Sequence, residues 1–303
     1  MRYATIENGE IVEARIGVEG IVRAGTVLHA QLIRVGRAGR NAVAVADGEE
    51  YILPEIPNGI TEGARFDLAV TRERIPGVEP WKRPLARVTE ITFVGNQAPE
   101  DSDRISNLDR RLDDAGWDDL LEEARSGIVA FTGGVLRVSP TPAMTLIDVD
   151  GTLPPVELAM AGAKAAARTI QRHGIGGSIG VDLPTVQGKE QRIAIGAAVD
   201  AILPNPFERT AVNGFGFLQI VRPRRHATLF ELAADRAAFE ARALLRQAGR
   251  ETGAIRLAAH PAVVAVLEAH PDWLAALGRQ IGGAVGLRSD PRLTISGGHA
   301  ETA

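Results

Sequence analysis

Two apolar, strand-prone runs, each ending in a carboxylate and separated by one helix-forming segment, constrain this chain most: Thr145-Leu-Ile-Asp-Val-Asp-Gly151 and Gly176-Gly-Ser-Ile-Gly-Val-Asp182-Leu183. The intervening segment opens with Pro154-Pro155, carries Glu157 in its first turn, runs through Ala-rich sequence to His173 and stops at Gly174. That is the Pro-start, Gly-stop pattern of a helix. A strand, a crossover helix and a second strand of one sheet connect right-handedly and leave the strands parallel. Both C-terminal ends then share one sheet edge, the place where open α/β sheets bind ligands. Asp148 and Asp182 are expected to meet there at the ~4.8 Å spacing of neighbouring strands. Two such charges need a cation between them, and oxygen-only ligands select Mg²⁺ or Mn²⁺. Asp150, two residues on, lies on the same strand face as Asp148 and is a candidate third ligand.

The chain has no Cys, which removes disulfides, a thiol nucleophile and Cys-based zinc sites. Its six His (His29, His173, His226, His260, His270 and His299) show no ligand spacing; His226, beside Arg224-Arg225, is the one to test. A charged-then-apolar leader and an apolar run near 18 residues are both lacking, so neither secretion nor a membrane partner is expected, and the cytoplasm is the expected compartment. The net charge of −4 hides a split: residues 97–157 hold 13 acidic against 5 basic residues, a net of −8, while residues 164–256 hold 14 basic against 8 acidic, a net of +6. A basic surface next to a carboxylate cluster fits a substrate built on phosphates.

At 303 residues the chain has room for two or three small domains. Residues 1–24 read as two strands about Asn8-Gly9, a strong short-range hairpin signal. Residues 25–90 hold five short strand-like runs (27–35, 42–46, 51–53, 66–71 and 85–88) between Gly, Asn and Pro turns, the pattern of a small OB-type barrel. Residues 91–127 read as a linker or shortened insertion with a helix near Trp117–Arg125. Residues 128–227 alternate strands and helices around the two carboxylates. Residues 228–303 read as one unbroken helix over 230–248, a small α+β module, and a loose tail from Gly297.

The string Asp148-Val-Asp150-Gly151-Thr152-Leu153 matches the nucleophile motif of haloacid-dehalogenase-type phosphatases, with Asp148 as nucleophile. The rest of that site is missing: no apolar strand ends in Ser or Thr at the second-motif position, no late strand carries paired acids, and Pro154-Pro155 starts a helix at once. Taken together, Ala143-Met-Thr-Leu-Ile-Asp148-Val-Asp150-Gly151, the Ala-rich helix, Gly174-Ile-Gly-Gly-Ser-Ile-Gly-Val-Asp182, and Phe215-Gly-Phe-Leu-Gln-Ile-Val-Arg222-Pro-Arg224 resemble the catalytic core of the ribonuclease E/G family in order and spacing. The likeness extends over nearly the whole chain, from an opening like the family's at residues 6–35, through its RNA-binding barrel, to its small C-terminal module.

The resemblance implies an α+β multi-domain fold, with an OB-type barrel before an α/β nuclease core of RNase H-like or DNase I-like kind. It implies a metal-dependent endoribonuclease that cleaves single-stranded RNA by Mg²⁺-activated water, with Asp148 and Asp182 as catalytic metal ligands. A catalytically impaired RNA-binding relative and the phosphatase are the alternatives. Asp150 stands where the family has Asn, and Gln219 and Thr185 stand where it has acids. Arg222 and Arg224 match the family's strand-end arginines and are candidate phosphate donors. Lys189 and Arg192, at the start of the following helix, are further candidates, as is the Trp81-Lys82-Arg83 loop. Tyr51 and Phe66 are candidates for base stacking, with core filling the stronger reading for both. With no Cys, neither zinc nor a zinc-mediated dimer is expected, and the oligomeric state stays open. Residues 95–126 are short for a sensor of the RNA 5′ end.

Overall fold

The computed structural model describes residues 1–36, 40–77, 82–90, 103–106 and 108–302, so Trp81 and the whole 91–102 stretch lie outside the described residues. The chain is α+β, with a closed five-stranded barrel and three further sheets. It divides into two compact units: residues 1–102 with 115–231, and residues 103–114 with 232–303. Among the described residues no helix is long and apolar enough to cross a membrane.

The first unit begins with the hairpin β1 (Arg2–Glu7) and β2 (Glu10–Ile16). Its turn places Asn8 at φ 52° and Gly9 at φ 83°, the left-handed pair that a two-residue hairpin turn requires. The barrel follows: β3 (Val27–Arg34), β4 (Arg40–Ala46), β5 (Glu49–Glu55), β6 (Arg65–Arg72) and β7 (Leu85–Val88), closed in the order β3-β4-β5-β7-β6. All neighbours are antiparallel except β5 and β7, which run parallel through Ile52 and Leu85. Alternate residues point inward, and Leu28, Leu32, Tyr51, Leu53, Leu68 and Val70 fill the barrel. Glu73, just past β6, ties the barrel to the rest of the unit. Its carboxylate accepts from the Ala24 N–H at 3.2 Å, and its own N–H donates to the Arg225 carbonyl at 2.8 Å.

The remaining sheet of this unit comprises β8 (Ile128–Phe131), β9 (Gly134–Pro140), β10 (Thr145–Gly151), β11 (Gly177–Asp182), β12 (Glu208–Arg209) and β13 (Phe217–Arg222), in the order β12-β13-β11-β10-β9-β8. The expected crossover is present: α3 (Pro155–Arg172) joins β10 to β11, which pair in parallel. Leu158, Ala159, Ala163, Ala166, Ala167 and Ile170 form the buried stripe of α3, so small side chains let it sit close to the sheet. Gly162 is the contact point, because a Cβ there would lie 2.3 Å from Cγ1 of Val149. Val149 is β-branched and cannot rotate away at low cost. Gly162→Val is therefore expected to destabilise the protein by about 1–3 kcal/mol through overpacking, read as a lower urea midpoint; an unchanged midpoint would show that α3 stands off from β10.

Below α3 lies α2 (Trp117–Ser126), which Gly116 and Gly127 bound in left-handed conformation. It buries Trp117, Leu120, Leu121 and Ala124, so residues 115–127 belong to the core of the first unit and are no linker. Glu123 of α2 reaches the end of α3, 3.0 Å from Arg172 and 2.7 Å from Nε2 of His173. Burial pushes the His173 imidazole below its ordinary range, against the pull of Glu123, so it stays neutral and serves structure.

In the second unit β14 (Ile255–Ala259) pairs in parallel with β15 (Val285–Ser289) and antiparallel with β16 (His299–Thr302). The segment from Gly297 is thus an edge strand and not the expected loose tail. Arg288 fixes it by pairing with Glu301 at 2.5 Å. The single helix expected over 230–248 is two, α5 (Leu229–Ala234) and α6 (Arg236–Ala248). The break is Asp235, whose side chain accepts from the Ala238 N–H and caps α6. With α7 (Pro261–Glu268) and α8 (Pro271–Ile281), α6 packs on the three-stranded sheet around Leu257, Val263 and Leu267. Asp113 of the short α1 (Arg111–Asp114) pairs with Arg246 and Arg250 of the same unit.

Candidate carboxylate site and its surroundings

Strand register builds the site. Asp148 and Asp182 are Cα partners across the one parallel pair of the six-stranded sheet; Asp182 ends β11, whereas Asp148 lies mid-strand, because β10 runs on past the expected end to Gly151, paired with β9. The alternation is strict: Thr145, Ile147 and Val149 are buried, while Asp148 and Asp150 are exposed. Pairing extends the row on both sides, with Arg137 of β9 opposite Asp148 and Phe217 of β13 opposite Asp182. Paired residues share a face, so the exposed face carries the row Arg137, Asp148, Asp182, Phe217. One step along, Gly180 leaves room between Leu146 and Phe217; a Cβ there would come 2.5 Å from the Phe217 ring.

Asp150 shares this face but is drawn to the opposite side, where Arg137 Nε lies 3.8 Å from its Oδ2. Among the described residues no group of three or more His, Cys, Asp or Glu is gathered closely enough to hold a metal ion. Asp148 and Asp182 therefore form a pair, with Asp150 two residues, ~6.7 Å, further along the strand. Such a pair suits Mg²⁺, which dehydrates reluctantly, keeps several waters and is commonly bound through one or two carboxylates plus substrate phosphates.

No protein-family model and no curated protein matches this chain.

The candidate RNA contacts fall into three groups. Tyr51 is fully buried in the barrel, its hydroxyl pushed well above the usual range by burial and by the Glu49 carboxylate; it offers no surface for a base. Phe66 is partly buried against the same core. Both fill the barrel because their strand faces point inward. Arg222 is half-buried and donates to the Ile175 carbonyl at 3.3 Å. Burial lowers its affinity for a proton, Glu13 opposing and Arg225 adding to the effect. Arg224 pairs with Glu231, and Glu231 also closes a capping box with Thr228 at the start of α5, at 2.8 and 3.0 Å. Both guanidinium groups are thus engaged with the protein's own acceptors. Lys82 precedes β7 and is partly buried, and Arg83 beside it pairs with Glu50 at 2.6 Å.

Lys189 and Arg192 are placed otherwise. They begin α4 (Lys189–Asp200), which follows Asp182 after the loop 183–188, and with Ile193, Arg209, Ala211 and Val212 they line a cleft of about 290 Å³. Three of the histidines are engaged within the fold: His260 accepts from the Ala262 N–H, His270 stacks on Trp273 at 3.9 Å, and His226 lies against Gly174 with Nδ1 3.0 Å from the Ala227 carbonyl. Sequence reasoning did not single out Arg137. Its signal was present, since Arg137 interrupts the apolar Leu136 and Val138 at the alternation of a half-exposed strand.

Proposed function

We propose that this protein is a metal-dependent endoribonuclease acting on single-stranded RNA, of ribonuclease E/G type. The observation that carries the reading is the pairing of Asp148 with Asp182 across two parallel strands on an exposed face. Two like charges at that spacing repel, and they stabilise nothing in the fold. Asp148 and Asp182 would hold Mg²⁺ or Mn²⁺. When bound there, the ion supplies Lewis acidity toward a phosphodiester and toward water. Arg137 stands beside Asp148 in the same row and offers a charge-assisted, forked donor to a phosphate oxygen. The barrel's strand order, with its first three strands in sequence and its fifth between third and fourth, supports the OB reading and an RNA-guiding role for that domain.

The phosphatase alternative is weaker, because its second-motif Ser or Thr and its late paired acids are missing from the sequence and α3 begins at Pro155, directly after the motif. The impaired relative remains the contrast for experiment. Labelled single-stranded RNA incubated with the protein and Mg²⁺ is expected to shorten, and EDTA to stop it. Intact RNA in both lanes, with binding retained, would select the impaired relative.

A further inference from the structure

The loop 183–188 that follows Asp182 is braced by the turn before β13. The Leu183 N–H donates to the Gly216 carbonyl at 3.2 Å, and the Thr185 hydroxyl donates to the Phe215 carbonyl at 3.2 Å. The turn itself is stiff: Asn213 Oδ1 accepts from the N–H groups of Phe215 and Phe217 at 2.9 and 3.0 Å. Gly216 takes φ 93°, and a Cβ there would lie 2.1 Å from the Leu183 oxygen. This braced turn holds Phe215 83% exposed. The fold gains no burial from that ring.

Val212, which begins the same turn, also lines the cleft of about 290 Å³ at the start of α4. Its three cations differ in how they are committed. Arg209 makes a two-point pair with Asp200, Nε to Oδ1 at 2.6 Å and Nη2 to Oδ2 at 2.5 Å. Arg192 donates to the Val186 and Gln187 carbonyls at 2.9 and 2.7 Å, which fixes its position and leaves its charge uncompensated. Lys189 is exposed and makes no hydrogen bond or ion pair among the described residues. Against these charges stand Ile193, 60% exposed, with Ala211 and Val212. Uncompensated positive charge, an apolar wall and a neighbouring aromatic ring match an anion that carries a flat apolar group.

We propose that this cleft and Phe215 form a nucleotide subsite for single-stranded RNA beside the carboxylate pair, Lys189 and Arg192 taking a backbone phosphate and Phe215 stacking the adjoining base. The volume suits about one nucleotide, being at the small end of ligand clefts. Recognition is through charge and stacking, so it tolerates every base. The proposal rests on the nuclease reading for its place beside the carboxylates, while the binding it describes needs no cleavage.

The test measures binding of a fluorescein-labelled uridine oligonucleotide to the full chain by anisotropy, in EDTA. Phe215→Ala is expected to weaken binding by about 5- to 100-fold, the loss of one base–aromatic stack, and Phe215→Trp to restore it. Lys189→Ala is expected to lower the slope of log affinity against log salt by about 0.7, the contribution of one phosphate of a single strand. Wild-type binding that both alanine variants leave unchanged overturns the subsite and spares the nuclease reading. Variants that lose binding while the wild type, with Mg²⁺, cuts nothing keep the subsite and overturn the nuclease. A wild-type protein that binds an acidic peptide but no RNA overturns both.

Discussion

Asp148→Asn and Asp182→Asn will each lower Mg²⁺-dependent cleavage of RNA by about 10³-fold, with the unfolding midpoint and the RNA affinity in EDTA unchanged. The size follows from losing several kcal/mol of charge stabilisation at a metal-assisted phosphodiester, at about 1.4 kcal/mol per tenfold in rate. The selectivity follows from placement. Both carboxylates are exposed and no hydrogen bond or ion pair from either is seen among the described residues, so Asn fits each position sterically and removes only repulsion; surface changes of that kind stay within about 0.5 kcal/mol. Asp150→Asn is the internal control. Its nearest cation is Arg137 at 3.8 Å, on the far side from Asp182, so it is expected to keep most of the activity. Single-turnover rates at saturating RNA decide the matter. Full activity in both Asp148 and Asp182 variants would sink the metal assignment, and loss in Asp150→Asn alone would move the chemistry to the other side of β10.

The sequence was a good guide wherever local chemistry and strand handedness act together. Asn8-Gly9 accepts the left-handed angles of a tight hairpin, so β1 and β2 were legible. Five barrel strands were legible because Gly, Asn and Pro punctuate them. The meeting of Asp148 with Asp182 was legible because a helical crossover between consecutive strands leaves them parallel, although β10 runs on past Asp148 to Gly151 instead of ending there. The strand from His299 was not, since His-Ala-Glu-Thr has no apolar period; backbone pairing to β14 and the Arg288–Glu301 pair hold it instead. Nor was the break at Asp235, although Asp is a poor interior residue and a preferred N-cap; the Ala-rich sequence on both sides of it masked the signal.

Charge was legible and its partners were not. Arg222 and Arg224 end a strand as phosphate-binding arginines would, yet Arg224 is committed to Glu231 and Arg222 to a backbone carbonyl. Those partners lie in a helix and a loop whose approach to β13 is a tertiary fact. Lys189 has the same charge and the opposite outcome, exposed where the first turn of α4 lines a cleft, while Arg192 beside it is positioned by two backbone carbonyls. Tyr51 shows the same limit in the barrel: an aromatic at an alternating position fits either face, and register alone decides between core and platform.

Trp117→Ala tests the largest revision that the structure makes to the reading of residues 91–127. As a linker residue its loss would cost almost nothing; as the 1% exposed centre of α2, it is expected to cost about 3–5 kcal/mol, the range for emptying a buried aromatic site. The Arg2 guanidinium lies 5.3 Å from the ring centroid and loses that contact as well. Urea unfolding followed by circular dichroism should show a first transition at much lower denaturant, with Trp117→Phe intermediate. The consequence reaches the site by one path. Glu123 of α2 holds Arg172 and His173 at the end of α3, where the chain turns into β11 and toward Asp182. If α2 serves that clamp, cleavage by the Trp117→Ala protein falls with its folded fraction and KM stays put; a midpoint within about 1 kcal/mol of wild type would return these residues to the role of a linker.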